Sequence, residues 1–102
     1  MPSVPQVAND ARLTLPPAVV STSIPDEAVV LDPASDRYFS LAGVGSRVWE
    51  LLQAGPTTPG HIAAVILDEY DADAATVDRD VRLLIDDLIA QGLVVVADAP
   101  GT

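Results

Sequence analysis

The apolar period changes once, abruptly, within RYFSLAGVGSRVWELL, Arg37 to Leu52. Arg37-Tyr38-Phe39-Ser40-Leu41 sets two of the four aromatic residues side by side, a composition suited to a pleated, half-covered surface. From Val44 the spacing is helical, because Val44, Val48, Leu51 and Leu52 fall at i, i+4, i+7 and i+8. Gly55-Pro56 stops that helix, Gly as a C-terminal cap and Pro as a residue that cannot continue one. A strand must therefore turn into a helix near Ala42-Gly43, and the remaining elements must pack on that junction.

Short strands come before the junction and helices after it. Ala18 to Ile24 and Glu27 to Asp32 read as strands, separated by the turn signal Pro25-Asp26. Pro33-Ala34-Ser35-Asp36 reads as a tight reverse turn into the strand at Arg37. Three strands with short connections predict an antiparallel meander. Downstream, Thr58 suits the N-cap and Pro59 the first position of a second helix, with Ile62, Val65, Ile66 and Tyr70 as its stripe. Asp73 caps a third helix whose core face is Val77, Val81, Leu84, Ile85 and Leu88, and Gly92 ends it. Leu93 to Val96 packs back as a short extended piece. The expected fold is α+β and winged-helix-turn-helix-like, a three-stranded antiparallel sheet followed by three α-helices. A flexible tail is expected over 1–17, rich in proline, then one domain over 18–97 and a tail over 98–102.

At 102 residues and 49% hydrophobic, with no cysteine, the chain can form one core without disulfides. No apolar run approaches the ~18 residues of a membrane-spanning helix and no signal peptide is apparent, so a cytoplasmic protein is expected. Five arginines, no lysine and fifteen acidic residues give a formal net charge of −10. Nucleic-acid binding relies on cationic side chains neutralising phosphates, so neither a nucleic acid nor an anionic membrane is the expected partner. The charge serves solubility, or a partner with some basic character.

Catalysis finds little to work with. His61 is the one histidine, without a cysteine or acidic ligand at metal spacing. Asp68-Glu69 and Asp86-Asp87 are neighbours, and adjacent helical residues do not face each other. The acidic run from Asp68 to Asp78 lacks the ligand spacing, glycine and closing Glu of a calcium loop. Gly43-Val44-Gly45 lacks the third glycine of a phosphate loop. No catalytic residue, metal or cofactor is expected. Two binding classes remain. A winged helix reads DNA through a basic helix, but Asp73 to Gln91 holds two Arg against five Asp. The other class is peptide recognition by strand addition at an exposed sheet edge.

The third helix also carries Leu83 away from its core stripe, near Arg79, Asp86 and Asp87, with Arg82 and Ile89 on the other flank. This is either scattered surface or a second contact face.

The run VLDPASDRYFSLAGVGSRVWELLQAG, a Thr-rich helix start and DRDVRLLIDDLIAQGLV together resemble the PqqD-like family over roughly Val29 to Val96. These are peptide-recognition domains of pathways that make and modify ribosomal peptides. Ala42 departs from the pattern, since the family often has an Asn there that caps the first helix; Gly43 or Ser40 would have to serve. The resemblance implies that a precursor's leader peptide adds as a strand against Arg37, Tyr38, Phe39, Ser40 and Leu41, in a groove walled by the third helix. It makes Arg79, Arg82, Leu83 and Asp86 candidates for side-chain contacts, the Arg79-Leu83-Asp86 flank being the expected one. It also implies a non-catalytic escort; at 102 residues a stand-alone version is expected, and the exposed strand edge leaves a monomer or weak dimer as the expected states. The wording is most like lasso-peptide proteins that deliver a precursor to a leader peptidase of transglutaminase-like fold. The alternative is a chaperone presenting a precursor to a radical enzyme that makes pyrroloquinoline quinone, or to another modifying enzyme.

Overall fold

The computed structural model describes residues 7–32 and 36–97. The expected turn at Pro33–Ser35 and the expected tail segments Met1–Gln6 and Asp98–Thr102 lie outside the described residues. The strands are β1 (Leu13–Thr14), β2 (Val20–Ile24), β3 (Glu27–Asp32), β4 (Arg37–Ala42) and β5 (Val95–Val96). The helices are α1 (Val44–Gln53), α2 (Pro59–Glu69) and α3 (Ala74–Ala90), between β4 and β5. β2, β3 and β4 form the antiparallel meander, and β1 pairs with β5 in a second, two-stranded sheet. The α+β architecture read from the sequence is the one observed.

Local chemistry explains most boundaries. At the β2–β3 corner Pro25 fixes one dihedral and Asp26 takes φ 62, a left-handed conformation that Asp tolerates better than most residues. Thr58 caps α2 by accepting a hydrogen bond from the His61 amide at 3.1 Å, and Asp73 caps α3 through the Thr76 amide at 3.0 Å. α1 begins differently. Gly43 is its N-cap with φ 58 and ψ −125, a backbone conformation that a side chain would strain, and no side chain caps the amides. Ser46 Oγ instead donates to the Gly43 carbonyl at 3.0 Å. The junction thus uses Gly43 as the N-cap, one residue after the Ala42 position where the family pattern often has Asn.

Between sheet and helices lies a core containing Ala28, Val30, Val48, Trp49, Leu52, Ile62, Ile66, Val81, Ile85 and Leu88. Three sequence expectations shift. In α1 the buried residues are Ser46, Val48, Trp49 and Leu52, while Val44 is exposed and Leu51 half-buried. In α2 the buried residues are Pro59, Ile62, Ala63 and Ile66. Tyr70 is instead the C-cap, in extended backbone and partly exposed, because the helix ends before its ring can turn inward. In α3 Leu84 is only half-buried, at the margin of the buried stripe Val77, Val81, Ile85, Leu88.

The described residues ahead of β2 reach into the core. Leu13 is fully buried, its backbone exchanging hydrogen bonds with Thr57 at 2.7 and 3.2 Å, and Val7 is buried too. The Gly60 amide donates to the Asn9 carbonyl at 2.9 Å. A Cβ at Gly60 would fall 3.1 Å from that carbonyl, so the close approach depends on glycine. This arm, Val7 to Thr14, lies along α3 and the start of α2.

Candidate functional site

β4 is the outer strand of its sheet, and no described strand pairs with its far side. The register fixes which backbone groups face outward. The Gly43 amide donates to the Asp26 carbonyl at 3.0 Å, and bonded pairs alternate along an antiparallel ladder. Leu41, Phe39 and Arg37 therefore bond to Ala28, Val30 and Asp32, while Ala42, Ser40 and Tyr38 lie opposite Glu27, Val29 and Leu31 in the non-bonded positions. The N–H and C=O groups of Tyr38, Ser40 and Ala42 point away from β3, toward the open edge. Of the five residues expected at the edge, two supply free backbone groups, and Ala42 adds a third set.

The side chains alternate with the backbone. Phe39 and Leu41 turn inward and pack against the core. Tyr38 lies on the opposite face and is 74% exposed. It falls in a cross-strand row with Leu31 and Val20, both exposed. Ser40 Oγ, on that face too, donates to Glu27 Oε2 at 2.6 Å.

Two depressions adjoin the edge. One, of about 220 Å³, lies between Arg37, Phe39, Ser40 and Leu41 of β4 and Asp87, Leu88 and Gln91 of α3. Arg37 spans its mouth: Nη2 donates to Gln91 Oε1 at 2.9 Å, and the guanidinium sits 5.1 Å from the Phe39 ring centre. The other, of about 560 Å³, lies beyond the end of β4, between the first turn of α1, the last turn of α2 and α3. Val44, Ile66, Tyr70, Val77, Val81 and Leu84 make it apolar, with Asp71 and Asp80 also lining it. Leu41, which lines the smaller depression, and Leu84, which lines the larger, both come within 4 Å of the Cβ position of Gly45.

The α3 residues on these depressions are Thr76, Val77, Asp80, Val81, Leu84, Asp87, Leu88 and Gln91. None of the four helix residues singled out from the sequence is among them. Arg82 and Asp86 hold the N-terminal arm. Arg82 Nε and Nη2 donate to the Val7 carbonyl at 3.1 and 2.8 Å, and Asp86 Oδ1 accepts from the Val7 amide at 2.9 Å. Asp78, one turn before Arg82, lies 3.5 Å from its Nη1. Arg79 is exposed and pairs loosely with Asp80 at 3.6 Å. Leu83 is half-buried. Sequence periodicity could have reached Asp80, Leu84, Asp87 and Gln91, spaced by four, three and four. They border the core stripe, so they read as its polar margin rather than as a surface of their own.

Away from the edge, Arg47 ties α1 to α2. It donates to Glu69 at 2.8 and 2.6 Å and to Glu50 at 3.0 Å, and the Glu69 bond holds that carboxyl below the usual carboxylate range. Among the described residues no three His, Asp or Glu side chains gather as a metal site, and no helix is long and apolar enough to cross a membrane.

Two solved structures share this fold. One is described as TbiB1 in complex with the TbiA(beta) leader peptide; it is 41% identical, aligns over 83% of this chain and 99% of its own, and gives a TM-score of 0.76. The other, a lasso peptide synthetase B1 complexed with the leader peptide, is 23% identical over 81% of this chain and 96% of its own, with a TM-score of 0.71, and supports the fold alone. Among curated protein sequences none matches the chain. The family model of coenzyme PQQ synthesis protein D matches residues 27–94, from the first residue of β3 to just before β5. That span carries the strand-to-helix junction, the open edge and all three helices, and the chain belongs to the PqqD family.

Proposed function

We propose that the chain binds the leader segment of a ribosomally made precursor peptide and escorts it to a processing enzyme, without chemistry of its own. The observation that carries this reading is the open β4 edge, with free backbone groups on Tyr38, Ser40 and Ala42, beside an apolar depression. The 41% identical TbiB1, described with a leader peptide bound, supports it. The peptide adds as a fourth strand. Main-chain pairing supplies sequence-independent affinity, and alternate side chains entering the depressions supply selectivity. Arg37 to Ala42 form the edge and Leu84, Asp87 and Gln91 the facing wall, with Leu83 at the lip. Arg82 and Asp86 act indirectly, by holding the arm against α3. The precursor belongs to a lasso-peptide pathway, and the enzyme that receives it in the cytoplasm is a leader peptidase of transglutaminase-like fold.

A second reading keeps the binding mode and changes the recipient to a radical enzyme that makes pyrroloquinoline quinone, which the matched family model favours. Amide hydrogen exchange tests the shared step. Leader peptides encoded beside the chain's own gene are added to the full-length protein. The amides of Tyr38, Ser40 and Ala42 should gain protection, while those of Phe39 and Leu41, already paired with β3, change little. Uniform protection, or none, would refute strand addition at this edge. The leader that gives the alternating pattern decides between the pathways.

A further inference from the structure

We infer that the peptide taken by this edge carries an Arg or Lys two residues from its apolar anchor, and that Asp71 and Asp80 receive the cation. The inference rests on the peptide-binding reading above and specifies the peptide's chemistry. The larger depression has an apolar floor, and neither Arg nor His is among its lining residues. Its two charged lining groups, Asp71 and Asp80, are both exposed. Asp71 makes no hydrogen bond or ion pair among the described residues. Asp80 has only Arg79 within reach, at 3.6 Å, both side chains more than 60% exposed. Such a pair contributes little and leaves the carboxylate open to a better partner.

An apolar side chain therefore enters beside two carboxylates, on a protein of formal charge −10. A neutral neighbour gains at most a hydrogen bond and an acidic one is repelled, while a cation is steered in and held. The spacing follows from two periods. Asp80 lies one helical turn before Leu84, about 6 Å along the axis. Side chains at i and i+2 of a strand point the same way and stand about 6.5 Å apart. An anchor over Leu84 thus brings the residue two positions on over Asp80. A peptide paired with Ser40 and Ala42 reaches this place as it runs past the end of β4. The smaller depression offers no such preference, because Arg37 stands opposite Asp87 there.

The test is a selection of random short peptides displayed on phage, run in parallel on the full chain and on its D71N/D80N variant. Both substitutions are exposed and uncharged isosteres, and circular dichroism checks the fold. The expected result is enrichment of Arg or Lys two residues from an aromatic or aliphatic residue on the wild type and not on the variant. For a selected peptide, replacing that Arg by citrulline should weaken binding about two- to fivefold at low salt, as for an exposed ion pair. The difference should vanish near 0.5 M salt, where screening is short-ranged. Peptides that protect Tyr38 and Ser40 but show no cationic preference would overturn this inference and leave peptide binding standing. Failure to select any peptide that protects those amides would overturn both.

Discussion

The two flanks of α3 both carry polar side chains outside the core and are opposite in use. Asp78, Arg82 and Asp86 follow one another at helical spacing; Arg82 and Asp86 bond to the backbone of Val7 in the chain's own arm, and Asp78 lies beside Arg82. Asp80, Leu84, Asp87 and Gln91 run along the other side, Asp80 and Leu84 lining the larger depression and Asp87 and Gln91 facing β4 across the smaller. The comparison teaches that a polar stripe outside the core is not by itself a binding face. What decides is whether another part of the same chain has already taken it. On this helix the flank with the more conspicuous charges is the closed one.

That contrast can be broken by substitution. The largest effect is expected on the closed side. Leu13→Ala, at a fully buried site within the arm, should cost about 2–5 kcal/mol of stability in urea unfolding, as core truncations to Ala do. Next, Arg82→Ala should cost about 1.5–3 kcal/mol, the range for hydrogen bonds to charged groups, and leave peptide affinity per folded molecule unchanged. A selective loss of affinity with full stability would mean that the arm gives way and that Arg82 meets the peptide. On the open side the pattern inverts. Leu84→Ala should weaken leader binding by more than ~1 kcal/mol in a fluorescence titration, a cost that only a minority of interface residues reach. Leu83→Asp, at the lip, should weaken it less; the reverse order would move the groove toward Arg79. The smallest effect lies away from both flanks. Glu69→Gln should lower the melting temperature slightly at neutral pH. The Glu69 carboxyl is depressed in the folded state, so its contribution is present above the ordinary value of 4.5 and fades as pH falls through the lower folded value. Wild type and variant should therefore converge in acid; a gap that persists there would assign the loss to packing.

Legibility in the sequence followed the range of the interaction that fixes each element. Thr58 and Asp73 bond to amides three residues on, and both caps were readable from residue type and position. The bounds of β3 were readable because Pro25-Asp26 and Pro33 frame an apolar run. The arm was not. β1 is two residues long, sits among prolines and finds its partners at Thr57, Val95 and Val96, so no local period announces it. The roles of Arg82 and Asp86 were hidden for the same reason, because their partner is a backbone unit far away in sequence. The edge strand was legible as a strand and, through the family resemblance, as the candidate edge. Which of its residues offer free amides required the register, and that was set by a hydrogen bond at Gly43 outside the strand itself.

The pairing of β1 with β5 has a consequence for how the molecule is made. Leu13 leaves the ribosome early, yet Val95 and Val96, which complete its ladder, emerge only after all of α3. Through most of synthesis the arm has no finished seat, and its apolar residues stay open to chaperones or to other nascent chains. A contact between residues this distant in sequence forms slowly, so sheet and helices can assemble first and the arm closes over α3 last. Slowing translation within α3 should prolong the protease sensitivity of the arm, while the β2–β4 meander is already protected.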